Sequence, residues 1–213
     1  MQTVVCFGDS NTFGHDPATE ERFPHDVRWP GVLRAALGPA FMVIEEGLSG
    51  RATVWDDPVE GHMSGIAYMT PCLRSHRPID LLVILLGTND CKLRWNAPPS
   101  DIAWSVGRLV DLAVASGCGP DDGPPQVLLI APPPIASVAG TRFESMFAEA
   151  EAKSAQLGPL YAQVADERGC AFLDAGRVIV SSPIDGIHFE AGEHRKLGEA
   201  VAGLTRILLA KPA

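Results

Sequence analysis

The sequence has no excess of basic residues and no long hydrophobic run. Lysine and arginine number 17 against 26 aspartates and glutamates, a formal net charge of -9. A nucleic-acid binder needs a basic face that displaces counterions from phosphates, so this balance excludes that class of partner. No apolar stretch reaches the length of a membrane span, and Met1-Gln2 leads into a strand-like run without a basic segment or cleavage site. We predict a cytoplasmic protein with no nucleic-acid and no membrane partner.

Motifs for metal, nucleotide and redox chemistry are also missing. Neither G-x-G-x-x-G nor G-x-x-x-x-G-K-[ST] occurs, which leaves nucleotide binding without support. H-E-x-x-H is absent, and His188 and His194 have a poor spacing for one helix face. We therefore predict no metal and no cofactor. The scattered cysteines form no C-x-x-C pair and are expected to be reduced thiols of an intracellular protein (Cys6, Cys72, Cys91, Cys118 and Cys170).

What the chain does contain is the pattern of a soluble globular domain. Hydrophobic residues make up 46% and charged residues 20% of a chain of 213 residues, enough to bury one core. Short apolar runs alternate with helical segments, as in an α/β fold with a parallel sheet. With no repeat or linker, we predict a single three-layer domain over residues 1–213. Its predicted strands are Thr3–Phe7, Phe41–Glu45, Asp80–Leu86, Gln126–Ala131 and Ala171–Asp174.

Five helices are predicted around these strands: Trp29–Leu37, Met63–His76, Ser100–Ser116, Arg142–Arg168 and Ala191–Leu209. Pro71 is expected to kink or divide the second helix. Ser100 is the expected N-cap of the third, and Gly158-Pro159 is the candidate break in the fourth. In such sheets the functional residues gather at the carboxyl edge, where strands end and loops begin.

Two segments carry residues suited to nucleophilic catalysis. Ser10 follows the first strand in Gly8-Asp9-Ser10, where a substrate carbonyl could approach it, although the same tripeptide makes ordinary turns. Asp185 and His188 precede the last helix. A histidine there could act as general base while the carboxylate fixes its tautomer. Alone, such a pair also fits a histidine that borders a helix.

Two further segments offer hydrogen-bond donors for an oxyanion. Asn89 follows the most apolar strand, and its amide can stabilise developing charge; an ordinary turn is the alternative. Gly50 follows the second strand, and its backbone N–H can come close to a substrate oxygen. Ser49 is a rival nucleophile by residue type only, because Arg51 stands where the G-x-S-x-G elbow needs glycine. Arg51 itself is interpreted as a surface or intersubunit ion-pair residue.

These four segments, in the order Ser, Gly, Asn, Asp-x-x-His, resemble the four blocks of the SGNH (GDSL-type) hydrolase family from Val4 to about Leu209. The resemblance implies a flavodoxin-like α/β/α fold with a five-stranded parallel sheet of order 2-1-3-4-5. It also implies that Ser10 is the nucleophile, His188 the general base and Asp185 its orienting partner. The oxyanion donors would be the N–H groups of Ser10 and Gly50 and the side chain of Asn89.

A narrower set of segments resembles the bacterial arylesterase/acyltransferase branch: Glu21-Arg22-Phe23, Asp26–Trp29, Glu45–Ser49, Asp56-Asp57-Pro58, Pro132–Pro134 and Asp174–Gly176. That resemblance implies short acyl esters as substrates, transfer of the acyl group to water or an alcohol, and a homo-oligomer. Phe13 replaces a tryptophan of well-known members and Gly50 an alanine, which leaves the acyl and alcohol preference open.

The aromatic residues Phe13, Trp55 and Trp95 lie in the loops after the first three strands and are the predicted substrate-binding residues. The alternative is that they pack loops together or cover a subunit contact. A carbohydrate O-deacetylase and a lysophospholipase or thioesterase remain open as activities. A non-catalytic flavodoxin-like binding module is the alternative from another class.

Overall fold

A parallel five-stranded sheet forms the centre of the computed structural model, which describes residues 1–210. Its spatial order is β2-β1-β3-β4-β5, which confirms the predicted fold. Gly8 at the end of β1 pairs with Gly47 on one side and Leu85 on the other, so three strands end at the same edge. The strands are β1 (Gln2–Gly8), β2 (Phe41–Gly47), β3 (Leu81–Leu85), β4 (Gln126–Ala131) and β5 (Ala171–Asp174).

Helices cover both faces of this sheet, because successive strand side chains point to opposite sides. Along β1, Val4 and Cys6 join the core on one face, while Val5 and Phe7 join the core on the other. The first core lies under α2 (Trp29–Leu37) and α7 (Ala191–Leu208), and the second under α3 (Gly65–His76), α4 (Pro99–Val114) and α6 (Leu157–Arg168). Among residues 1–210, no helix combines the length and apolarity that a bilayer crossing requires.

Two helix predictions differ from the structure at proline residues. Helix α3 runs through Pro71 without dividing, because a proline removes one backbone bond while the buried Met69, Cys72 and Leu73 hold the helix to the core. Helix α4 begins at Pro99, so Ser100 lies in its first turn and is not its cap.

The predicted long helix Arg142–Arg168 is wrong in its first part. Residues 142–149 form turns, and two helices follow, α5 (Ala150–Ser154) and α6. The break falls just before Leu157, and Gly158-Pro159 lies in the first turn of α6, where proline is tolerated. A one-turn helix, α1 (Ser10–Phe13), was not predicted. That the whole chain is one domain stays a prediction.

Candidate active site

Ser10 opens helix α1 at the carboxyl end of β1. The Asp9 carboxylate caps this turn by accepting a hydrogen bond of 2.9 Å from the backbone N–H of Asn11. Gly8 is required just before it, because a Cβ there would lie 2.1 Å from the hydroxyl oxygen of Thr12. The tight turn therefore places Ser10 at the sheet edge with its backbone N–H at a helix start, where no intrahelical partner exists.

Ser10, His188 and Asp185 form one continuous line of hydrogen bonds. Nε2 of His188 lies 3.0 Å from Oγ of Ser10, and its Nδ1 lies 2.5 Å from Oδ2 of Asp185. The other carboxylate oxygen, Oδ1, accepts the backbone N–H groups of Ile187 (2.8 Å) and His188 (2.9 Å). Backbone N–H groups of the segment 185–188 thus fix the orientation of the Asp185 carboxylate. This carboxylate in turn fixes the imidazole of His188, with Nδ1 protonated and Nε2 toward Ser10.

The electrostatics of this line favour an ionised Asp185. Burial acts to raise the pKa of Asp185, but the hydrogen bonds from His188 and Ile187 outweigh it and hold the pKa below its ordinary value. A second imidazole, His15, contacts His188 with a ring-centroid distance of 4.2 Å. Burial and the proximity of His188 lower the pKa of His15, so His15 is neutral at neutral pH. It therefore does not oppose a positive charge on His188.

Three residues with N–H donors line the pocket that contains the serine hydroxyl: Ser10, Gly50 and Asn89. Gly50 has φ of +86°, a left-handed conformation that favours glycine, and it lines the same pocket as Ser10. Asn89 also lines this pocket and is buried, and its Nδ2 donates to the carbonyl of Arg51 at 3.1 Å. In the described part of the chain, the backbone N–H groups of Ser10 and Gly50 have no protein acceptor. Both remain free for a ligand oxygen.

A buried carboxylate, Asp90, ties the segment of Asn89 to that of Gly50. Both oxygens of Asp90 accept the backbone N–H of Thr53, and its Oδ1 also accepts the Thr53 hydroxyl. Burial raises the pKa of Asp90 to about 6, and burial raises that of Asp9 to about 6 as well. The loop after β2 is thereby fixed to the turn after β3.

A pocket of about 180 Å³ opens beside Ser10 and His188. Four lining side chains from two segments are apolar, and we call them the apolar wall: Phe143, Met146, Phe147 and Ile187. The lining also includes a polar set, which we call the polar side: His15, Glu60, Lys92 and Arg142.

The polar side includes two members of a group of four charged residues, of which Asp57 and Lys92 are buried while Glu60 and Arg94 reach the surface. Lys92 is 2% exposed, and its Nζ lies 2.7 Å from Oε1 of Glu60 and 3.3 Å from Oδ2 of Asp57. Arg94 donates to the other oxygen of Asp57 at 2.6 Å. Burial would raise the pKa of Asp57, but bonds from the N–H groups of Val59 and Glu60, with the two cations, lower it to about 2. We call Asp57, Glu60, Lys92 and Arg94 the charge quartet.

The aromatic residues predicted to bind substrate lie elsewhere. Trp55 and Trp95 stack on each other with centroids 6.2 Å apart, and the guanidinium of Arg22 covers the Phe13 ring at 4.1 Å. Within residues 1–210, none of the three lines the pocket. They pack loops together, which was the alternative interpretation.

Sequence reasoning missed the residues that do line the pocket walls. His15 and Lys92 each lie close to a recognised block, at Ser10 and Asn89, so proximity to the block was an available signal. The apolar side chains at 143–147 had no such signal, because the segment that contains them resembles the start of a helix.

Potential metal ligands form two clusters in the described residues. The first, His15, Asp185 and His188, belongs to the site above, and the second is Glu46, Cys72 and His76. In each, a carboxylate already holds one histidine nitrogen: Asp185 holds Nδ1 of His188, and Glu46 holds Nε2 of His76 at 2.6 Å. Burial raises the pKa of Cys72 to about 12, so this thiol is protonated.

A nucleophile at the end of the first strand and an Asp-x-x-His pair before the last helix, on a sheet of order 2-1-3-4-5, is the arrangement of SGNH hydrolases. The sequence profile of the GDSL-like Lipase/Acylhydrolase family matches residues 6–195. The chain belongs to this family of esterases and acylhydrolases, which confirms the predicted family.

Solved structures support this assignment. An aryl esterase of M. smegmatis is 42% identical, with a TM-score of 0.93 over 98% of this chain and 100% of that chain. Est24, a carbohydrate acetylesterase from Sinorhizobium meliloti, is 40% identical, with a TM-score of 0.94 and the same coverage. A lipolytic protein of the G-D-S-L family from Veillonella parvula, at 16% identity and a TM-score of 0.66, shares the fold. Among curated proteins, no sequence matches this chain significantly.

Proposed function

We propose that this esterase cleaves short-chain carboxylic esters through a covalent acyl-enzyme on Ser10. The observation that carries the proposal is the hydrogen-bonded line from Ser10 through His188 to Asp185, which opens into a small pocket beside free N–H donors. The partners are a small-molecule ester and an acceptor, water or an alcohol. No cofactor takes part in the steps below.

In the first half-reaction, Oγ of Ser10 attacks the ester carbonyl carbon while Nε2 of His188 accepts the hydroxyl proton. The carbonyl oxygen becomes an oxyanion, and the N–H groups of Ser10, Gly50 and Asn89 stabilise it. The C–O bond to the alcohol then breaks, and His188 returns the proton to the leaving oxygen. In the second half-reaction, water or another alcohol attacks the acyl carbon by the same proton transfers, which frees Ser10.

The dimensions of the pocket support a short acyl group. A volume of about 180 Å³ lies below the range of about 300–1,000 Å³ that is usual for sites of drug-sized ligands. The wall of Phe143, Met146 and Phe147 closes the apolar side. We therefore expect turnover to fall as the acyl chain grows, which disfavours a lysophospholipase or long-chain thioesterase.

The test is hydrolysis of p-nitrophenyl esters from acetyl to octanoyl by the wild type and by Ser10→Ala. Ser49→Ala is the matched control, because Ser49 lines the same pocket but has no bond to His188. We expect Ser10→Ala to lose activity and Ser49→Ala to keep most of it. Full activity of Ser10→Ala would exclude the proposed nucleophile. A folded wild type inactive on every ester would instead favour the non-catalytic binding module.

A carbohydrate acetylesterase is the second candidate, and the polar side of the pocket favours it. Glu60, Lys92 and Arg142 offer charged hydrogen-bonding groups that suit sugar hydroxyls. The Sinorhizobium meliloti relative carries that description. The comparison is kcat/KM on acetylated monosaccharides against phenyl acetate, in the wild type and in Glu60→Gln. A loss confined to the sugar esters would support the candidate, and equal loss on both would exclude it.

Acyl transfer to an alcohol is the further part of the proposal. The apolar wall offers room for an alkyl alcohol in place of water once the first product has left. With butanol added to a p-nitrophenyl acetate reaction, we expect butyl acetate alongside acetate. If acetate alone forms at every butanol concentration, the transfer activity is absent.

We also propose that the chain works as a homo-oligomer. Val59 is 76% exposed and Leu93 is 42% exposed, and each is the chain neighbour of a residue of the pocket wall. A subunit contact over these apolar side chains would cover them. Light scattering after gel filtration measures the mass directly, and a monomer at micromolar concentration would exclude the proposal. The cytoplasmic location stays a prediction.

A further inference from the structure

Arg51, the residue directly after Gly50, is buried, so its interpretation as a surface or intersubunit ion-pair residue is wrong. Its exposed fraction is 3%. The guanidinium carbon lies 4.3 Å from the centroid of the Phe7 ring and 5.2 Å from that of Tyr68. Burial lowers the pKa of Arg51, and the nearby Glu46 carboxylate opposes this shift. Burying a guanidinium costs free energy unless its N–H groups donate hydrogen bonds to protein acceptors. The acceptors of Arg51 therefore indicate what its burial stabilises.

Nη1 of Arg51 donates to two backbone carbonyls at the edge of the sheet. One is the carbonyl of Gly8, at 2.9 Å, two residues before Ser10, and the other is the carbonyl of Glu46 in β2. The Gly8 carbonyl also accepts the N–H of Leu48 at 3.1 Å, and the Leu48 carbonyl accepts the N–H of Arg51 at 3.1 Å. These hydrogen bonds join the turn that contains Gly50 to the end of β1, the strand that precedes Ser10.

The backbone of Arg51 reaches the third donor. Its carbonyl accepts a hydrogen bond of 3.1 Å from Nδ2 of Asn89. A primary amide has two N–H donors, so this bond fixes the orientation of the amide and leaves the second N–H for the pocket. Arg51 thus contacts the Ser10 segment through its guanidinium, Gly50 through a peptide bond and Asn89 through its carbonyl.

We propose that Arg51 is the positioning residue of the oxyanion hole, a role that rests on the proposed esterase function. It holds the N–H groups of Ser10, Gly50 and Asn89 at fixed separations, and it touches neither substrate nor reacting atoms. Loss of the guanidinium removes its hydrogen bonds to the carbonyls of Gly8 and Glu46 and leaves Gly8 only its bond from Leu48, so the two loops can shift relative to each other. The donors act on charge that develops only in the transition state, so kcat falls while KM changes little.

The experiment compares Arg51→Met and Arg51→Lys with the wild type on p-nitrophenyl acetate. Arg74→Met is the matched control, because Arg74 is an exposed arginine of helix α3. Active sites are counted from the p-nitrophenol burst, and kcat is expressed per counted site. The second measurement is the inhibition constant of a methyl trifluoromethyl ketone, which adds to Ser10 as an oxyanion that mimics the transition state.

We expect Arg51→Met to lower kcat per site about 10- to 100-fold, since a displacement of about 1 Å costs up to roughly 10² in rate. KM should stay within about twofold, and ketone affinity should fall by the same factor as kcat/KM. Arg51→Lys, which keeps a cation but loses the planar fork, should fall between Arg51→Met and the wild type. Arg74→Met should match the wild type.

Wild-type kcat per site in Arg51→Met would overturn the proposal. The proposal would also be overturned if Arg51→Met had fewer counted sites and a lower unfolding midpoint but an unchanged kcat per site and an unchanged affinity for the ketone. That result would show that Arg51 only stabilises the fold. If Arg51→Met does not fold, Arg51→Lys decides by the same two readouts. Failure of the proposed function is distinct, because the wild type itself would then show no Ser10-dependent burst and no ketone binding, and the role of Arg51 would be refuted with it.

Discussion

Replacing Asp185 by asparagine should remove most of the esterase activity without unfolding the protein. The carboxylate has two tasks, because Oδ1 accepts the N–H groups of Ile187 and His188 while Oδ2 accepts Nδ1–H of His188. Asparagine has only one carbonyl oxygen. If that oxygen keeps the two backbone bonds, its NH₂ group faces Nδ1, which must then give up its proton. The imidazole then donates from Nε2 to Ser10 and can no longer accept the serine proton.

We expect kcat/KM of Asp185→Asn on p-nitrophenyl acetate to fall about 10³- to 10⁴-fold, in line with the cost of the wrong histidine tautomer in serine proteases. This factor corresponds to roughly 4–5.5 kcal/mol of transition-state stabilisation. Asp166→Asn, an exposed position of helix α6, is the matched control and should retain full activity. A kcat/KM of Asp185→Asn within tenfold of the wild type would refute the assignment of Asp185, provided that urea unfolding shows a folded variant.

Three further changes test other parts of the structure. Burial lowers the pKa of His194 from 6.5 to about 3, so its contribution to stability, on the order of 3–5 kcal/mol, is fully present above pH 6.5 and is lost as the pH falls toward 3. In urea titrations His194→Asn should therefore lose less stability than the wild type between pH 6.5 and pH 3, and exposed His62→Asn should behave as the wild type. Met146→Ala should raise the ratio of kcat/KM on the octanoyl ester to that on the acetyl ester about tenfold. The shorter side chain leaves space in which about two more methylenes of the octanoyl chain are buried, a gain of roughly 1.6 kcal/mol. An unchanged ratio would show that Met146 does not contact the acyl chain. Lys92→Met should destabilise the fold by about 1–3 kcal/mol, because the buried Asp57 carboxylate loses one of its two cationic partners and keeps Arg94, and an unchanged urea midpoint would contradict that cost.

The sheet and the hydrogen-bonded line of Ser10, His188 and Asp185 could be predicted from the sequence, and the reason is physical. A buried parallel strand must be apolar over its whole length, so its runs are visible, and polar residues at its carboxyl end stand out against them. Ser10, Asn89 and the pair of Asp185 and His188 follow such runs or precede a clear helix. Ser10 and Asn89 follow strands that are neighbours in the sheet, so strand order explains their proximity. The loop of Asp185 and His188 is placed by contacts such as the 3.4 Å hydrogen bond from Nδ2 of Asn11 to the carbonyl of Ile187.

The pocket walls were not predictable in the same way. Whether a loop side chain faces the pocket depends on partners distant in sequence, as for Trp55, which turns to Trp95. Arg51 shows the same limit, since an arginine after a glycine turn gives no sign that it will be buried against Phe7. The segment 142–147 has helical composition but forms turns, so its place in the apolar wall depends on tertiary packing.

The charge quartet has a consequence for the behaviour of this protein in mixed solvents. Attraction between opposite charges 4 Å apart rises from about 1 kcal/mol in water to about 4 kcal/mol at an effective dielectric constant of 20. Organic cosolvents weaken the hydrophobic core but strengthen the partly exposed pair of Lys92 with Glu60, while the buried pair of Lys92 with Asp57 depends little on the bulk solvent. The polar side of the pocket should then keep its structure in alcohol-rich media after the rest of the fold has begun to lose stability. In such media water is scarce as an acceptor, so a preserved pocket there would turn ester cleavage into ester synthesis.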